Sequence, residues 1–116
     1  MEIIKNREDN NFEVAIIGRL DTVSSPQLQS ELDEITPEAE SIVLNLRDLE
    51  YISSAGLRVI LLLKKAMDQK GTLVLKNVSE TVMSILDVTG FSTILNIEPS
   101  ENEQESHESA EDGSEG

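Results

Sequence analysis

The run Ile42-Val43-Leu44-Asn45-Leu46, followed by a polar turn and then by helical spacing from Ala55 to about Gln69, restricts the chain to a small set of folds. A short continuous run of aliphatic residues reads as a strand buried on both faces. The junction contains Asp48-Leu49-Glu50-Tyr51-Ile52-Ser53-Ser54-Ala55-Gly56-Leu57. A serine where helical spacing begins suits an N-cap, because its oxygen accepts the unpaired N–H groups of the first turn. Gly56, just inside, lets another group approach the helix N-terminus closely.

The segments on either side continue the same alternation of strand and helix. Residues 2–7 and 11–18 read as two strands joined at Glu8-Asp9-Asn10-Asn11, whose turn residues favour a hairpin. Phe12, Val14 and Ile16 mark the buried face of the second strand. Ser25 as N-cap and Pro26 at the first helical position start a helix with Leu28, Leu32 and Ile35 on one side, ended by Thr36-Pro37. Lys70-Gly71 stops the central helix, and residues 72–76 form a further strand. Ser79 caps a shorter helix bearing Val82, Ile85, Leu86 and Thr89, with Gly90-Phe91 as a glycine stop and its apolar contact. Residues 94–97 read as a last short strand. The order ββαβαβαβ predicts an α/β fold: a single small mixed, mostly parallel sheet packed with helices, with an antiparallel N-terminal edge strand.

Charge divides the chain in two. The net charge is −14, and the last eighteen residues, 99–116, contain seven acids and no Lys or Arg. This stretch has no aliphatic residue beyond Ala110 and cannot bury enough surface to order itself, so residues 1–98 are the expected domain and 99–116 a disordered acidic tail. Such acidity argues against nucleic-acid binding, which needs Lys and Arg to displace counterions, and against anionic membrane surfaces. No cysteine is present, and the N-terminus lacks an apolar signal region; a cytoplasmic location is the expectation.

An enzyme is not expected. The single histidine, His107, lies in the acidic tail, away from any serine that would need a base. The chain has no G-x-S-x-G elbow and no glycine-rich phosphate loop. Asp33-Glu34 and Glu38-x-Glu40 fall on a solvated face and do not amount to a metal site, so neither metal nor cofactor is expected. At 100° per residue the central helix places Val59, Leu62, Leu63 and Ala66 toward the core, flanked by Ile60 and Met67. Ser54, Leu57, Arg58, Leu61, Lys65 and Asp68 fall on the opposite face. Two leucines there read either as ordinary surface residues or as part of a protein-docking face.

Asp48-Leu49-x-x-Ile52-Ser53-Ser54-Ala55-Gly56-Leu57 resembles the signature of the STAS domain, the fold of bacterial anti-sigma factor antagonists, and the likeness extends over about residues 2 to 98. The resemblance implies the STAS fold, with Ser54 as phosphoacceptor for a partner kinase that is also the anti-sigma factor. Many members have an aspartate before this serine; Ser53 stands there instead, which removes a carboxylate and sets two hydroxyls side by side. The family also implies that Asp21 and Thr22 neighbour the phosphorylation site, although an Asx-type turn closing that loop explains them equally well. With Ser53, Ser54, Leu57, Arg58, Leu61 and Lys65 they make the expected partner-binding set. The implied partners are an anti-sigma factor serine kinase with a histidine-kinase-like ATPase fold and a serine phosphatase. ATP belongs to the kinase, so no bound cofactor is implied. An alternative within the family is a free-standing scaffold subunit of a lipid-type ABC transporter.

Overall fold

The computed structural model describes residues 1–99. The expected disordered segment lies outside the described residues apart from Pro99. Strands β1 (Glu2–Glu8) and β2 (Asn11–Leu20) form an antiparallel hairpin in register from Glu2↔Ile17 to Glu8↔Asn11. Only Asp9 and Asn10 connect them, and Asp9 adopts φ 57, a left-handed conformation that aspartate tolerates better than most residues. Helix α1 (Ser25–Ile35) and a 3-10 turn lead to β3 (Ser41–Asn45). Strand β4 (Leu49–Ile52), helix α2 (Ser54–Asp68), strand β5 (Thr72–Lys76) and helix α3 (Glu80–Thr89) complete the fold.

The five strands make one mixed sheet. β3 pairs in parallel with the first half of β2 and with β5 on its other side. β4 pairs in parallel with the last residues of β2, from Gly18 to Leu20. The register shifts between Gly18 and Arg19, and Gly18 takes φ 104, a backbone state that suits glycine at such a bulge. Phe12, Val14, Ile16, Ile42, Leu44, Leu73 and Leu75 form the buried face of the sheet against the helices. The other face carries half-buried Ala15, Ile17, Val43 and Val74, so β3 is covered completely on one side only. There Lys76 Nζ reaches Glu13 at 3.1 Å and Asn45 Nδ2 donates to it at 3.2 Å, joining β5, β2 and β3.

Three expectations change. Residues 49–52 are a strand, where the sequence suggested a polar loop; their apolar positions, Leu49 and Ile52, are three apart and show no alternation. The last expected strand, 94–97, shrinks to a 3-10 turn at Phe91–Thr93 and a single parallel bridge, Leu75↔Ile97. The third concerns the rotation of α2. Its buried residues are Gly56, Leu57, Val59, Ile60, Leu63 and Met67, while Leu62 is 48% exposed and Ala66 only half-buried. Leucines at 57, 61, 62 and 63 surround the helix, so apolarity alone could not choose its inner face. The first turn decides it: a Cβ on Gly56 would stand 2.7 Å from Leu20 Cγ and 2.9 Å from Ile52 Cγ1. Only a glycine lets α2 sit so close to the ends of β2 and β4, and that contact turns Leu57 inward.

Candidate functional site

Leu20 and Ile52 are paired at the carboxyl ends of β2 and β4, and the Ser53 N–H donates to the Leu20 carbonyl at 2.8 Å. Beyond this pair β2 opens into the loop 21–24, and β4 enters α2. The fold thus brings Asp21 and Thr22 to the same sheet edge as Ser53 and Ser54, the edge where open α/β folds form sites.

Ser53, not Ser54, is the cap of α2. It has extended dihedrals (φ −94, ψ 175), and its hydroxyl accepts from the Gly56 N–H at 3.3 Å. Ser54 is the first helical residue and is exposed. The two adjacent hydroxyls therefore have different jobs: one closes the helix end, and the other faces solvent. The first helix likewise departs from expectation, since its formal N-cap is Ser24 without a side-chain cap bond. Ser25 is buried, and its hydroxyl donates to the Asp21 carbonyl at 2.5 Å.

Asp21 builds the neighbouring loop. Its Oδ1 accepts from the Val23 and Ser24 N–H groups at 3.1 and 3.0 Å, and the Ser24 hydroxyl lies 3.0 Å away. These bonds, the Ser24 N–H and hydroxyl foremost, hold its carboxyl below the ordinary carboxylate range, with Arg19 adding a smaller attraction. The Asx-type turn is thus present, at the same sheet edge as Ser54. The turn leaves Thr22 exposed and lifts Val23 to 88% exposure at its tip. Arg19 lies over the Tyr51 ring at 4.6 Å, stiffening the strand ends below the loop.

Along α2, Arg58 and Lys65 are exposed on the side opposite Gly56, Ile60 and Met67; Leu62 is next to them, and Leu61 is half-buried. Leu57 is 5% exposed and belongs to the core, so the expectation that it contacts a partner is corrected. Sequence reasoning missed Val23 and Leu62, the two exposed apolar residues of this region. A valine among Asp21, Thr22, Ser24 and Ser25 was a visible signal; Leu62 carried none until the rotation of α2 was known. Among the described residues, no group of three or more His, Cys, Asp or Glu could hold a metal ion, and no helix is long and apolar enough to cross a membrane. What this edge offers is an accessible serine hydroxyl inside a surface of mixed charge and apolarity.

The family and the fold are shared with known proteins. The STAS domain family model matches residues 2–104. The anti-sigma-B factor antagonist of Bacillus subtilis is 32% identical over 92 residues, covering 78% of this chain and 84% of that protein. The anti-sigma factor antagonist SpoIIAA in its unphosphorylated form superposes with a TM-score of 0.76 at 17% identity, covering 98% of this chain and 96% of that one. The phosphorylated form of the Bacillus cell fate determinant SpoIIAA gives 0.67 at 16% identity, with 84% and 91% covered. The family match over almost all of the described residues and the shared fold lead to one conclusion: the chain belongs to the STAS domain family, among the anti-sigma factor antagonists.

Proposed function

We propose that this protein is an anti-sigma factor antagonist that works as a phosphorylation switch at Ser54. The unmodified chain docks its Ser54 edge, formed by Thr22, Val23, Ser54, Arg58, Leu62 and Lys65, onto a kinase-type anti-sigma factor and so releases the sigma factor. The partner then transfers the γ-phosphoryl group of its own ATP to the Ser54 Oγ. The hydroxyl proton is lost, and ADP leaves. One observation carries the reading: Ser53 supplies the cap, which leaves the Ser54 hydroxyl exposed in the middle of the free surface.

Phosphorylation adds about −1.5 to −2 charges at this point. The positive end of α2 tolerates that charge, so the fold is retained. An interface closed over the dianion must desolvate it and place it against the partner's own polar groups, and binding fails. A serine phosphatase restores the hydroxyl by hydrolysing the phosphoester. The protein acts in the cytoplasm, as a substrate of another enzyme's chemistry and with no catalytic group of its own.

Capture of partners on the immobilised full chain from the source cell, with mass spectrometry of the peptide spanning Ser53 and Ser54, tests the reading. The expected result is an ATPase of the histidine-kinase-like fold and phosphate on Ser54 alone. Recovery of transporter subunits without such a kinase, or phosphate on Ser53 only, would overturn it.

A further inference from the structure

The nine Lys and Arg residues all lie in the domain, and most are committed. Lys5 pairs with Glu31 and Glu34, Arg7 with Glu38, Lys64 with Asp68 and Lys76 with Glu13. The Lys70 ammonium donates to the carbonyls of Thr36 and Pro37, and Arg19 covers Tyr51. Among the described residues, Arg47, Arg58 and Lys65 make no contact of these kinds. Two of these three are on the outward face of α2, Arg58 about one turn and Lys65 about three turns along from Ser54.

We propose that the acidic segment 100–116 occupies the Arg58–Lys65 face of α2 in cis. The segment carries seven carboxylates and no Lys or Arg. Residues 1–98 hold sixteen acids against nine bases, so most of the domain surface repels it and the unpaired cations select where it settles. The chain also leaves the domain in a suitable direction. Ile97 bridges Leu75 in parallel, with Leu75 N–H donating to Asn96 O at 2.9 Å and Glu98 N–H to Leu75 O at 2.8 Å. Residues 96–99 therefore run toward the carboxyl edge of the sheet, the edge at which α2 begins.

The distance is short enough. Leu75 is in register with Leu44, which is in register with Val14, and Leu20 lies six residues further along β2. At about 3.3 Å per residue this puts the start of α2 roughly 20 Å beyond Leu75, and two strand spacings add about 10 Å sideways. Seventeen residues, 100 to 116, span up to about 55–60 Å when extended, so the segment reaches Lys65 as well as Arg58. With Ala110 as its sole aliphatic residue, it makes contacts that are electrostatic and labile to salt. The effect on the switch rests on the function proposed above: a segment on this face competes with the kinase for the unmodified protein, and the kinase must displace it to reach Ser54.

Amide NMR of the ¹⁵N-labelled full chain tests the contact with no partner present, so its failure leaves the proposed switch standing. A full-length variant with Glu101, Glu103, Glu105, Glu108, Glu111 and Glu115 changed to Gln and Asp112 to Asn removes the charge of the segment. Raising salt from about 0.01 M to about 1 M, which shortens the Debye length from about 30 Å to about 3 Å, screens it. Both perturbations should move the same amides, those around Arg58, Leu62 and Lys65, and Arg58→Gln with Lys65→Gln should abolish the response. Unmoved amides on α2, or movement confined to Val78 and Ile97 where the chain leaves the domain, would overturn the proposal. So would shifts that depend on protein concentration, which would assign the contact to a second copy.

Discussion

Gly56→Ala should destabilise the domain although it replaces the poorest helix former after proline by the best one. In an exposed helix the change is favourable by about 1 kcal/mol. Here the added Cβ would lie 2.7 Å from Leu20 Cγ and 2.9 Å from both Leu20 Cδ2 and Ile52 Cγ1. Real Cβ atoms do not approach carbon so closely, and Leu20 and Ile52 are each within 1% of full burial, so neither has an easy alternative rotamer. Overpacking of this kind costs about 1–3 kcal/mol, and the clash outweighs the propensity gain by about 1 kcal/mol. Urea unfolding of the wild type, Gly56→Ala, Leu20→Ala and the double variant measures the effect. Leu20→Ala alone should cost about 2–5 kcal/mol. In its background two of the three close contacts are gone, so Gly56→Ala should become neutral or stabilising, a coupling of about 1–2 kcal/mol. An equal effect of Gly56→Ala in both backgrounds would refute the idea that this contact sets the seating of α2, and with it the exposure of Ser54.

Ser53→Ala should lower stability by about 1 kcal/mol through loss of the cap, whereas Ser54→Ala should change it by no more than about 0.5 kcal/mol. Chemical denaturation separates the two, and the reverse order would assign the capping role to Ser54 instead. Leu57→Ala should cost about 2–5 kcal/mol and Leu62→Ala less than about 1 kcal/mol; equal losses would mean that α2 is rotated from the position described. Asp21 has a folded-state pKa below its ordinary 3.8, held there first by the Ser24 N–H. Its stabilising contribution is therefore fully present above about pH 4 and is lost as pH falls through the folded value, so Asp21→Asn should flatten the acid limb of the stability curve below pH 4. A carboxyl midpoint at or above 3.8 in an NMR titration of the native protein would contradict the turn.

The elements with strong local signals are legible in the sequence itself. Two strands around Asp9-Asn10, the apolar side of α1, the Ser79 cap and the glycine stop of α3 each follow from a few neighbouring residues, and all are present. The Ser53-Ser54-Ala55-Gly56 junction is legible for the same reason: helix starts and close-approach glycines are properties of short stretches. β4 is not, because two apolar residues three apart in a four-residue strand match no period; its pairing with Gly18–Leu20 is what makes it a strand. The division of labour between the serines is not either, since both are good caps and a shift of one residue decides which hydroxyl remains free. Leu57 and Leu62 show the limit most clearly. A helix with leucines all around it has no inner face of its own, and Leu20 and Ile52, from two separate strands, chose one by closing on Gly56. Local chemistry thus determined most of the elements and where the candidate serine lies, while contacts between residues distant in the chain made β4 a strand and decided which side chains surround the serine.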